Sequence, residues 1–274
     1  LSKQYILHEK LLSKPRLGRF LTATQGNKSQ AVRLYKYNLR LSQSLFGTIS
    51  MLEIALRNAI NKHYQQHLNQ PDWLKYNSQP SGLFYDPSLR NHAGRFEQAE
   101  KVNSTIIALR KNYSHDKVVA GLSFGFWRFM FSGIQFKVFG NTLLQIFPNR
   151  PKGINQKNIY QKLTDINNLR NRIAHHEPIC FDVNNKPSIL YSQRHFQDIL
   201  ELLEWLGYPP IQILSNLESP EKEWKKYRRY DDITIKKMVI SLLNPYNLYS
   251  TISFLSIFVI VWSYWLSASV AFKC

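Results

Sequence analysis

Apolar residues recur at spacings of three and four over most of this chain. Ile159, Leu163, Ile166, Leu169 and Ile173 mark one face of a 3.6-residue period. Leu45, Ile49, Leu52, Leu56 and Ile60 mark another. The pattern predicts helices over 5–13, 29–46, 48–69, 92–111, 115–121, 123–147, 155–176, 192–206 and 219–241. Gln70-Pro71-Asp72 ends the third of these, and Pro80, Gly82 and Pro87 make 76–90 an irregular loop. A punctuated stretch from Pro148 to Gly153 divides the middle of the chain. Phe181 to Tyr191, with Asn184-Asn185 inside it, carries a weak hairpin signal. The fold class this predicts is all-α, with about 200 residues of mostly helical chain, ample for one core.

A different pattern closes the chain. No charged side chain occurs from Met238 to Phe272, and 248–272 is long and apolar enough for a bilayer-spanning helix. Tyr246 and Tyr249 stand at its start as interfacial anchors, after Asn244-Pro245. The basic side precedes the span, so the preceding body is expected in the cytoplasm, anchored to the cell membrane by its C-terminal helix. The competing reading is a buried helix of the soluble body. The expected organisation is a helical domain over 1–215, a basic juxtamembrane segment over 216–247 and a transmembrane helix over 248–272.

Candidate chemistry concentrates at the end of the 155–176 helix, in Leu169-Arg170-Asn171-Arg172-Ile173-Ala174-His175-His176-Glu177-Pro178. Arg offers a planar fork of donors that suits phosphate. Histidine titrates near neutrality and serves as general acid or base. Asn171 is placed to orient either. Arg170 and His175 lie about 140° apart on an ideal helix. A helix fraying before Pro178, or a partner helix, is needed to bring them to one phosphate. The plain alternative is that basic residues simply complement the helix C-terminus.

Arg-Asn-x-x-x-His resembles the signature of HEPN-domain ribonucleases. The longer run resembles the Abi-like family of bacterial abortive-infection proteins, the AbiD/AbiF type. Met51 to Ile60 (MLEIALRNAI) is similar to that family's N-terminal helix, and Leu122 to Trp127 (LSFGFW) to its central block. The resemblance implies a HEPN-like helical bundle, a role in phage defence and metal-independent RNA cleavage. It also implies a homodimer that pairs two motifs, since one motif supplies only half of the catalytic set. Carried over by position, Arg170, Asn171 and His175 are the catalytic candidates, with His176 secondary. It further suggests that Gly125 lets the Ser123–Trp127 block approach the motif helix closely.

Arg57 and His63 form a looser second pair. Glu53, four residues before Arg57, has the spacing of an ordinary helix-surface ion pair. His63 lies on the stripe of Leu45, Ile49, Leu52, Leu56 and Ile60 and reads as a partly buried histidine.

The formal net charge of +18 over 274 residues favours a polyanionic partner. Arg33, Lys36 and Arg40, with Tyr35 and Tyr37 among them, are the RNA-contact candidates of the first basic cluster. The second, over 222–237, holds Lys222, Lys225, Lys226, Arg228 and Arg229, and suits an anionic membrane surface better than RNA. Two cysteines, Cys180 and Cys274, are too few for a disulfide framework. His175, His176 and Cys180 lack the spacing of a metal site, so neither metal nor cofactor is expected. No antitoxin partner is specified. Three functions follow for test: a membrane-tethered ribonuclease of phage defence, a noncatalytic RNA-binding or toxin-neutralising module, and a membrane-acting effector working through its C-terminal helix.

Overall fold

A computed structural model of the chain describes residues 2–227. The expected span at 248–272 and the basic residues beyond 227 lie outside the described residues. The chain divides after Trp224 into a compact body and a second unit that begins at Lys225.

The body is all-helical, and its centre is one long helix. Helix α1 (Ser2–Leu12) and α2 (Lys14–Ala23) lead into α3 (Lys28–His67), which runs 40 residues, about 60 Å at the α-helical rise. The chain then forms α4 (Trp73–Asn77), α5 (Glu97–Leu109), α6 (His115–Gly121), α7 (Phe124–Phe129) and α8 (Gly133–Val138). Helices α9 (Gln156–Ala174), α10 (Leu190–Trp205) and the short α11 (Pro210–Ile213) complete it, and residues 220–224 start a further helix. Between 181 and 187 there is only an isolated antiparallel bridge, Phe181 with Pro187. Among the described residues no helix is long and apolar enough to cross a membrane.

Helix α3 forms because its period holds without interruption. Leu41, Leu45, Ile49, Leu52, Leu56, Ile60 and Tyr64 make a fully buried stripe. The expected break near Gly47 does not occur. A helical glycine costs about 1 kcal/mol relative to alanine, too little to undo a helix packed on both sides of it. The N-terminal half of α3 packs against α1 and α2, and α10, α9 and α7 also line it. Its start is capped by the Asn27 side chain, which accepts from the Gln30 N–H at 3.1 Å.

The expected single helix over 123–147 is instead α7, α8 and a 3-10 turn at Leu143–Ile146. Phe124, Phe126, Trp127, Met130, Phe131, Phe136, Phe139, Leu143 and Phe147 are all buried. They do not fit on one helical face, so the chain turns repeatedly to send each inward. Gly140, at φ 88°, makes one of these turns. The rings gather with Tyr64, Trp73 and Phe84: Tyr64 to Trp73 is 4.9 Å between centroids and Phe84 to Phe139 is 4.8 Å.

Candidate functional site

Helix α9 carries the motif and is set firmly. Asn155 caps it by accepting from Lys157 N–H at 2.9 Å and Asn158 N–H at 3.3 Å, while Asn158 Oδ1 accepts from Asn155 N–H at 2.9 Å. Ile159, Leu163, Ile166, Leu169 and Ile173 are buried, as the period predicts. This locks the rotation of α9 and thereby the directions of Arg170 and His175.

Arg170 faces α3. There the Glu53 carboxyl feels both the Arg170 and Arg57 guanidiniums, and the Phe124 N–H at the start of α7 donates to it. Burial pushes the Glu53 carboxyl up, and the two arginines and the Phe124 N–H offset only part of that rise. Arg57 also donates from Nη1 to the Ala120 carbonyl at 3.4 Å. The Nε atoms of both Arg57 and Arg170 are buried without a hydrogen-bond partner. The two Arg-Asn segments, distant in sequence, thus place both guanidiniums where their charge acts on one carboxyl.

The sequence pattern pairs Glu53 only with Arg57 and does not show that Arg170 also acts on it through its charge. The usable signal was the repeat of Arg-Asn, at 57–58 and 170–171, with an acid one turn before the first. Helix α7 does pack on α9, and a Cβ placed on Gly125 would meet Asn167 Oδ1 at 3.6 Å. That is ordinary contact, so the approach is close without requiring glycine. Arg128 turns to α9 as well, donating to Tyr160 Oη at 3.2 Å and Thr164 Oγ1 at 3.1 Å.

His175 faces elsewhere. Helix α9 stays regular to Ala174, with no fraying, and the His175 N–H returns to the Asn171 carbonyl at 2.9 Å. His176 takes the left-handed conformation at φ 56°. Its N–H reaches Ile173 O at 3.0 Å, and Glu177 N–H reaches Arg172 O at 2.8 Å. These bonds satisfy the last carbonyls of the helix. Both imidazoles are exposed and line a shallow cleft of about 390 Å³ with Arg16, Arg19 and Glu177. Within one copy, then, Arg170 looks to Glu53 and His175 to the arginines of α2. Asn171 is half-buried between these directions. Arg172 is committed to the local fold: it donates to the Pro178 carbonyl and lies 4.9 Å from the Tyr191 ring centroid.

The second pair is not brought together. His63 Nε2 lies 2.9 Å from Thr142 Oγ1 and its ring stacks on His67, on a different side of α3 from Arg57. Burial, reinforced by His67, lowers the His63 pKa. It is Tyr64, not His63, that continues the buried stripe.

Arg33 and Lys36 are exposed on α3, whereas Arg40 pairs through Nε with Glu223 at 2.9 Å. Cys180 is buried and its thiol is pushed up to about 12, mainly by that burial, so it shares no site with the exposed histidines. Among the described residues no group of three or more His, Cys, Asp and Glu side chains is arranged to hold a metal ion.

The model of the Abi-like protein family matches residues 3–180. The chain belongs to the Abi-like family. That match takes in Glu53, Arg57, α7, Arg170 and the histidines, and it ends where Cys180 enters the core. Abortive infection, a phage defence, is the role that membership of the Abi-like family suggests. Helix α10, which packs on α3 and α9, lies beyond the matched stretch. No curated protein and no solved structure matches the chain.

Proposed function

We propose that this Abi-like protein is a HEPN-type endoribonuclease of phage defence that cleaves RNA without a metal ion. The observation that carries the reading is that one helix, α9, holds a partly buried Arg170, beside Glu53 and Arg57, and ends on an exposed His175. Arg170 neutralises charge on the nonbridging phosphate oxygens. His175 takes the proton from a ribose 2′-OH, whose oxygen then attacks the adjacent phosphorus. The bond to the 5′-oxygen breaks as that oxygen takes a proton. The products are a 2′,3′-cyclic phosphate and a 5′-hydroxyl.

The second proton comes from a second copy of the chain or from Glu53. Burial leaves Glu53 holding its proton to higher pH than a free carboxyl, which suits a general acid. Because Arg170 and His175 look to different neighbours in one copy, a homodimer joining two α9 ends is the assembly we favour. The basic cleft of Arg16 and Arg19 beside the histidines supports RNA as the substrate. The composition of 248–272 supports an anchor that holds the body at the inner face of the cell membrane, with 222–237 against anionic lipid.

The test is incubation of the full chain with end-labelled single-stranded RNA in EDTA, beside Arg170→Ala and His175→Ala. Cleavage to 2′,3′-cyclic ends, lost in both variants, is expected. RNA binding with no scission by any of the proteins would replace this reading with a noncatalytic RNA-binding module.

A further inference from the structure

Helix α1 turns an apolar face away from the body. On an ideal helix Ile6, Lys10, Leu7 and Leu11 fall within an arc of about 140°. Tyr5 and Leu12 lie on the opposite side, and Tyr5 is buried in the body, where α1 packs on α2 and α3. The arc of Ile6 to Leu11 therefore points outward, where a surface helix ordinarily carries polar residues. Instead it exposes Ile6 at 58%, Leu7 at 66% and Leu11 at 80%. Large aliphatic side chains gathered on an outward face mark an interaction site.

The charge around this face selects its partner. Lys10 lies inside the apolar arc and is exposed, as is Lys14 at the start of α2. Nine of the first 40 residues are Lys or Arg, and Glu9 is the single acid in that stretch. A protein groove that took in Ile6, Leu7 and Leu11 would have to bury the Lys10 ammonium with them, at high cost unless it were paired there. A bilayer surface makes no such demand. The lysine stem lies along the acyl boundary while its ammonium reaches the headgroups, and anionic lipid attracts each cation nearby.

We infer that α1 lies in the surface of an anionic membrane, with Ile6, Leu7 and Leu11 in the acyl boundary and Lys10 and Lys14 among the headgroups. This contact is separate from RNA cleavage and from the anchor proposed at 248–272. A tether alone holds the body near lipid without inserting α1.

The test places an environment-sensitive dye on Leu11→Cys in a full chain that also carries Cys274→Ser; the buried Cys180 stays unlabelled. The chain is combined with vesicles of phosphatidylglycerol and phosphatidylethanolamine, or of phosphatidylcholine alone. A blue shift of the dye on the anionic vesicles is expected. It should be far smaller on phosphatidylcholine, and at about 1 M salt, where the Debye length is about 3 Å. The same dye on Ser104→Cys, exposed on α5, should remain as in water. Lys10→Gln should lower the ratio of inserted to free α1 about fivefold, the weight of one cation at an anionic surface. A dye at position 11 that stays as in water on anionic vesicles overturns the inference, whether or not the chain is tethered to them. So does a shift that ignores lipid charge and Lys10→Gln. A dye already in apolar surroundings before lipid is added overturns it too, because a second copy or the chain's own 225–274 segment would then cover the face.

Discussion

Replacing His176 with glycine separates fold from chemistry at the end of α9. His176 sits at φ 56°, where a residue with a Cβ suffers about 1–2 kcal/mol of strain. Glycine removes that strain and loses about 0.5–1 kcal/mol through its freer unfolded chain. The imidazole is exposed, so little packing is lost with it. The net expectation is stabilisation by about 0.5–1 kcal/mol. For a body of this size that is a rise in Tm of about 1–4 °C. Thermal and urea melts of the full chain and of His176→Gly measure it. A lower Tm would refute the reasoning, because it would mean the imidazole makes a native contact larger than the strain. Cleavage assayed on the same samples gives the second reading. Loss of about 10²–10⁴-fold in rate alongside a higher Tm makes His176 a proton-transfer group. An unchanged rate leaves it as a helix terminus alone.

Other outcomes follow from the same structure. Glu53→Gln is expected to slow cleavage and remove the fall in rate at alkaline pH, since an acid with a raised pKa is active only below that pKa; a profile that keeps its alkaline limb argues against Glu53 as proton donor. His63 and His115 both have pKa values lowered by burial. Unfolded, they take up protons near pH 6.5, so stability is full above that value and is lost as pH falls through it toward the folded values. Urea melts at pH 7.5 and 5.5 should show this loss, reduced in His63→Gln. Gly82→Ala would place a Cβ 2.4 Å from the Asn77 Cα, against backbone that cannot step aside, and is expected to lower stability by about 1–3 kcal/mol in a urea melt. Leu56→Ala, in the centre of the α3 stripe, should cost about 2–5 kcal/mol by the same measurement.

Period and capping carried much of the fold. The buried face of α9 could be read from five residues, because nothing in the tertiary structure overrides a strong amphipathic pattern. Gly47 misled because its weak local cost is overruled by packing along α3. No helix was expected between 13 and 29, yet α2 forms there with Pro15 in its first turn, where proline fits. The aromatic run from Phe124 to Phe147 has helical propensity but no single face, and only the need to bury every ring decides where it bends. At the site, Arg170 and His175 were legible as a motif. The tie from Arg170 to Glu53 was not, because a sequence shows a carboxylate only its own-helix neighbour one turn away. Arg40 looked free for RNA for the same reason, its partner Glu223 being distant in the chain.

The separation of Glu53 and Arg57 from Arg170 along the chain also sets a schedule. During synthesis α3 leaves the ribosome early, carrying the acid and one arginine. The other arginine and both motif histidines follow only with α9, and α10, which packs on both α3 and α9, comes later still. Helix α3 therefore waits with a bare flank while most of the body is translated. A nascent chain holds one half of the constellation until elongation has passed α9. A protein harmful to the cell that makes it would gain from such a delay, for the constellation stays incomplete until α9 has been made.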